Sequence, residues 1–211
     1  FRAEVRAAML RHPAEPYFPL LGALAAARAH DDNPMPWLQR TLERGEVNGR
    51  AHMLLAEVLH ARGAKAQALF ELRRSLEDDL GLAGPAAAIV VRWTRVYEEL
   101  TAATPEGKSG AVMLDQVAAY LGAPADWRLQ ERINREVIAR DPTKIPARVR
   151  MADRRLKALV GSATDTPRPE EVCPDREACR REVLAQADAI ASQTPDLPTA
   201  AELRAQLLLA D

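Results

Sequence analysis

A spacing of 34 residues runs through the first half of the chain and constrains its fold more than any other feature. Leu21-Gly22 recurs as Leu55-Ala56 and again as Ile89-Val90. Phe18 recurs as His52 and Ala86, and Ala25 as Leu59 and Trp93. One helix further on, Leu38 corresponds to Leu72 and Leu42 to Leu76. A period of this length, with small residues at fixed points, marks stacked helical hairpins. Each hairpin is too small to bury its own apolar stripe and must shelter it against the next. Composition agrees. Hydrophobic residues make 47% of the 211 and are dominated by Ala and Leu, while aromatics reach only 4%. Ala, Leu, Arg and Glu are strong helix formers, and a sandwich or barrel needs many more β-branched and aromatic residues.

The clearest unit runs from Gly49 to Leu82. Its first helix carries Leu55, Ala56 and Leu59, Gly63 marks the turn, and the second helix carries Ala68, Leu72, Ser75 and Leu76. This unit resembles the tetratricopeptide repeat (TPR), W-x2-L-G-x2-Y followed by Gly and A-x3-F-x2-A. It departs from that pattern with His52 for the aromatic, Ala56 for Gly and Leu80 for the closing Pro. The preceding unit, Glu15 to Asn48, matches through Leu21-Gly22, with a longer turn over Asp31–Pro36. Residues 1–12 read as the second helix of a still earlier unit, ended by Pro13. The resemblance implies an all-α fold: antiparallel helix hairpins stacked in a right-handed superhelical array. Residues 1–100 form the TPR-like repeats, and 101–211 form further, divergent hairpins.

Beyond Leu82 the helical period continues through AGPAAAIVVRWTRVYEEL to Leu100, and a second helix is expected in GAVMLDQVAAYLG after a loop at Thr104–Ser109. Further helices are expected over Pro124–Arg140, Lys144–Leu159, Asp175–Ser192 and Pro198–Ala210, with a loop over Val160–Pro174. The chain begins at Phe1 and ends inside an amphipathic pattern, with no signal peptide, so it reads as a piece of a longer polypeptide. No apolar run approaches the roughly 20 residues needed to span a bilayer. A net charge of −1 excludes a uniformly basic surface for nucleic acid or anionic membrane. The basic residues are nearly all Arg, which together with the abundant Ala suggests GC-rich bacterial coding.

Several constellations bear on function. In a TPR fold the first helices of successive hairpins line a concave surface. The resemblance places Arg50, Met53, Glu57 and His60 there, then Val91, Thr94 and Arg95. TPR domains that grip a chaperone's C-terminal carboxylate use Lys and Asn on this wall. Here those positions hold Pro19, Ala23, Leu54, Gly84 and Ala88, so that clamp is missing. The stretch Ala102–Ser109 satisfies a permissive P-loop spelling. In that reading Lys108 would reach the terminal phosphates of a nucleotide and Ser109 a magnesium ion, with Gly107 in the loop. A P-loop needs a preceding strand, however, and the sequence there is helical by period.

Cys173 and Cys179 match neither a redox nor a zinc spacing. They are either a local disulfide stapling loop to helix or two free thiols. Their even number and loop position favour the disulfide, and with it an oxidising, exported compartment. His52 and His60 lie about 12 Å apart along one helix, too far to share a metal, and His12 and His30 sit at helix ends. No metal or cofactor is assigned. Helix 144–159 carries Arg148, Arg150, Arg154, Arg155 and Lys157 around the stripe Ile145, Val149, Ala152, Leu156 and Leu159. It reads either as a solvated face or as a site for an anionic partner. The function expected from the sequence is non-catalytic recognition of a protein or peptide, or of neighbouring domains of the same chain. Nucleotide binding through Gly107-Lys108-Ser109 and anion binding through helix 144–159 are the alternatives.

Overall fold

A computed structural model describes residues 1–29, 32–161 and 167–210. The described residues form thirteen α-helices and two short 3-10 turns, with no strand. The chain divides into two compact units, Phe1–Ser109 and Gly110–Asp211.

The first unit contains α1 (Arg2–Arg11), α2 (Tyr17–Ala29), α3 (Met35–Arg44), α4 (Gly49–Ala61), α5 (Lys65–Asp78), α6 (Ala83–Trp93) and α7 (Tyr97–Ala102). Consecutive helices pack on one another from α1 through α6, and α2 also meets α4. The α4–α5 hairpin is the most extensively packed. It turns at Gly63, whose φ of +79° lies in the left-handed region that a glycine enters without a Cβ penalty. At the open end of the hairpin, the Asn48 backbone N–H donates to Asp78 Oδ2 at 2.8 Å. The Asn48 side chain accepts from Ala51 N at 3.0 Å and so caps α4.

Val5, Met9, Leu20, Ala23, Ala26, Trp37, Leu38, Ala51, Leu54 and Leu55 form a continuous core across α1–α4. Close approach decides two of these contacts. A Cβ on Gly22 would lie 2.3 Å from Trp37 Cε3, so the indole of α3 lies directly on the backbone of α2. A Cβ on Gly49 would meet the Ser75 carbonyl oxygen at 2.6 Å.

The helix expected to continue to Leu100 is instead broken. α6 stops at Trp93, Thr94 is extended, and α7 begins at Tyr97. The Thr94 hydroxyl donates to the Glu99 carboxylate and accepts from Val96 N at 3.0 Å. The side chain therefore offers the backbone an alternative to the helical ladder. Periodicity registers apolar spacing and does not detect this competition.

The second unit contains most of α8 (Gly107–Tyr120), then α9 (Trp127–Arg140), α10 (Ile145–Val160), α11 (Pro169–Val172), α12 (Arg176–Gln193) and α13 (Thr199–Leu209). α10 packs against all four of α9, α11, α12 and α13. Its Ala152, Leu156 and Leu159 join Val183, Ala187 and Ile190 of α12, and Ala200, Leu203 and Leu207 of α13, in one buried cluster. The expected loop over 160–174 contains a helical turn, α11. Pro169 opens that turn, where its missing N–H costs no hydrogen bond. Residues 162–166 of that loop, and His30 and Asp31 at the earlier turn, lie outside the described residues. Cys173, just after α11, is joined to Cys179 of α12 by a disulfide, with both sulfurs buried in the cluster.

Two stability measurements check this packing. Gly22→Ala gains about 1 kcal/mol of helix propensity but drives a methyl into the indole, at a cost of about 1–3 kcal/mol. Net destabilisation in urea is expected, and it should shrink when Trp37→Leu is added. An unchanged or raised midpoint would mean that α2 and α3 are not in this contact. Replacing both cysteines by Ala releases a short loop and should lower the stability of the second unit by about 2 kcal/mol. Dithiothreitol should have the same effect on the native protein.

Candidate functional site

Three of the residues expected on a concave wall, Arg50, Met53 and Glu57, border one cavity where α2 faces α4. This cavity, of about 570 Å³, is lined by Tyr17, Leu20, Leu21 and Leu24 from α2 and by Arg50, Met53, Leu54 and Glu57 from α4. The spacing brings these side chains together. Leu20, Leu21 and Leu24 share one face of α2, and Arg50, Met53 and Glu57, at i, i+3 and i+7, share one face of α4. The floor is apolar, with charge at the two ends. Arg50 is exposed and makes no ion pair among the described residues. Glu57 lies two turns further, about 10 Å along the axis, and faces Arg92 Nη2 at 4.0 Å.

The remaining expected wall residues are placed differently. His60 stacks on Trp93, with ring centroids 4.2 Å apart and planes 4° from parallel, so its ring is spent in tying α4 to α6. Val91 and Thr94 are buried and offer no surface to a partner. Arg95 is exposed in the break between α6 and α7, off any helical face. Thr94 belongs instead to a polar knot with Glu99, which also receives Lys65 Nζ at 2.7 Å. The Lys65 ammonium first, and the Thr94 hydroxyl second, hold the Glu99 carboxyl below its ordinary range.

His52 was the substitute for the repeat's aromatic residue, and it proves to be a buried ionic tie. Its Nδ1 lies 2.6 Å from Glu71 Oε2 on α5, and its Nε2 lies 3.6 Å from Asp78 Oδ2 and 3.4 Å from the Glu46 carbonyl. The hydrogen bond to Glu71 raises the imidazole above its ordinary value of 6.5, reinforced by the Glu71 and Asp78 charges, although burial opposes the shift. The sequence signal was present: Glu71 and Asp78 are seven apart, on the face of α5 that returns past His52.

Gly107, Lys108 and Ser109 are exposed at the start of α8. The segment before them is the helix α7 and a turn, so the strand that a P-loop requires is replaced by a helix. No group of three or more His, Cys, Asp or Glu among the described residues is placed to hold a metal ion. No described helix is long and apolar enough to cross a membrane.

The basic face of α10 is neither a plain solvated face nor an open cationic strip. Arg155 is only 4% exposed. It donates to Glu182 of α12 and, at 3.0 Å, to Glu131 of α9. Arg150 pairs with Asp115 of α8 and donates to Asn134 Oδ1 of α9 at 3.0 Å. Arg148 donates to Gln186 Oε1 at 2.9 Å and to the Pro142 carbonyl at 3.0 Å. These side chains fasten α10 to its neighbours. Sequence alone does not reveal this, because their partners on other helices lie 16 to 38 residues away.

No family model matches the chain, no curated protein is similar to it, and no solved structure matches it.

The His52 tie carries a pH signature. A folded-state value raised above 6.5 means that the charged imidazole stabilises the first unit fully below about pH 6 and loses that contribution as pH rises through the raised value. Unfolding midpoints between pH 5.5 and 9 should therefore fall with rising pH in the native protein, and His52→Gln should flatten the slope. The same slope in both proteins would assign it to other groups.

Proposed function

We propose that the chain is a non-catalytic, TPR-like recognition module whose α2–α4 groove receives an extended segment of a partner protein. One observation carries this reading: an apolar trough of about 570 Å³ between first helices of successive hairpins, with a cation lacking an internal counter-charge at one end and a carboxylate at the other. Charge complementarity selects the occupant. A carboxylate meets Arg50, a cation meets Glu57, and an apolar side chain between them lies against Met53 and Leu24. The two residues are about 10 Å apart along the helix axis, a length that an extended peptide covers in about three residues. The wall is built on packed helices, so the partner segment alone loses conformational freedom on binding.

Selection from a random peptide display library tests this. The native protein should enrich peptides with an acidic residue about three positions from a basic one and an apolar residue between them. Arg50→Glu combined with Glu57→Arg should fold equally well and invert the order of the two charges. Enrichment of no such pattern, or of the same order by both proteins, would remove the groove assignment.

A further inference from the structure

A second cavity, of about 610 Å³, lies in the second unit beside α10. Gln130, Arg150, Arg154 and Lys157 contribute its polar side, and Pro169 and Val172 part of its apolar side. Arg150, Arg154 and Lys157 stand at i, i+4 and i+7 on α10 and form one stripe about 10 Å long. Their electrostatic circumstances differ. Arg150 is neutralised by Asp115. Lys157 pairs at 2.8 Å with Asp153, which also borders the cavity, in a largely exposed contact that holds the ammonium weakly.

Arg154 meets no carboxylate at ion-pair distance among the described residues. Its Nη2 donates to the neutral Oε1 of Gln130. Gln130 is only 5% exposed and is itself fixed, its Nε2 donating to the Ala118 carbonyl at 2.8 Å. The guanidinium is thus aimed by a buried neutral group, partly stripped of water, and left with no carboxylate in direct contact beside a hollow. Burial pushes its pKa down, against the more distant charges of Glu131 and Asp153. Half-buried cations are ordinarily paired, and a guanidinium fork matches a planar or tetrahedral oxyanion with two parallel hydrogen bonds.

We propose that this cavity binds a small organic oxyanion, its head on Arg154 with Lys157 in support and its apolar body against Pro169 and Val172. The volume falls in the range of small-molecule sites. A macromolecular polyanion is a poorer fit, because Arg148, Arg150 and Arg155 are already spent on neighbouring helices.

The test titrates the whole protein with phenyl phosphate, benzoate and inorganic phosphate, followed by calorimetry and by amide chemical shifts. Saturable binding of phenyl phosphate or benzoate is expected, at least roughly tenfold tighter than that of inorganic phosphate. The shifts should concentrate in residues 118–130 and 150–160. Whichever of the two organic anions binds more tightly identifies the head group as phosphate or carboxylate. Arg154→Gln should weaken binding at least roughly tenfold while leaving the far-ultraviolet circular dichroism unchanged, and Arg154→Lys should recover part of the loss. No saturable binding, shifts elsewhere, inorganic phosphate binding as tightly as the organic anions, or binding unchanged by Arg154→Gln would each overturn the proposal.

Discussion

No helix of the first unit can bury its own apolar side. Eight of the thirteen residues of α2 are Ala or Leu, and Gly22 lets Trp37 lie directly on its backbone. α4 buries Ala51, Leu54, Leu55 and Ala56, and does so between α2, α3 and α5. Close approach multiplies weak dispersion contacts, and small residues are what permit it. The groove follows from the same constraint. α2 packs on both α3 and α4, and the side of α2 that faces α4 borders the cavity together with Arg50, Met53 and Glu57.

The two units meet this constraint with different chemistry. In the first, one set of polar ties gathers His52, Glu71, Asp78 and Asn48 on the α4–α5 hairpin, and another joins Lys65 and Thr94 to Glu99. In the second, α10 is surrounded, and Arg148, Arg150 and Arg155 reach outward to three neighbouring helices. A buried guanidinium with two carboxylates contributes less to net stability than to fixing one arrangement of helices over others. The disulfide adds a covalent tie within the apolar cluster of this unit, joining Cys173, just after α11, to Cys179 of α12.

Helix content, the hairpin from Gly49 and the face carrying Arg50, Met53 and Glu57 were legible because spacing along a helix fixes which side chains share a face. The cysteine pair was legible because its partners are local. What spacing does not encode was missed. Thr94 ends a helix through its hydroxyl, not through any change in apolar period. His60 is withdrawn from the groove by a ring 33 residues away. The arginines of α10 look like a solvated charge run until their carboxylates arrive from α8, α9 and α12. The contrast between Arg154 and its neighbours is invisible in sequence, since it depends on which guanidinium finds no carboxylate.

Helices α2 to α5 hold their structure only through one another. Native-state hydrogen exchange on the full chain, comparing the native protein with Gly22→Ala, tests this most directly. A substitution touching only α2 and α3 should also lower protection of the amides of Ala51, Leu55 and Leu72, because α4 and α5 lose the surface they lean on. Loss confined to α2 and α3, with α4 and α5 protected as before, would show a self-sufficient hairpin and contradict the account.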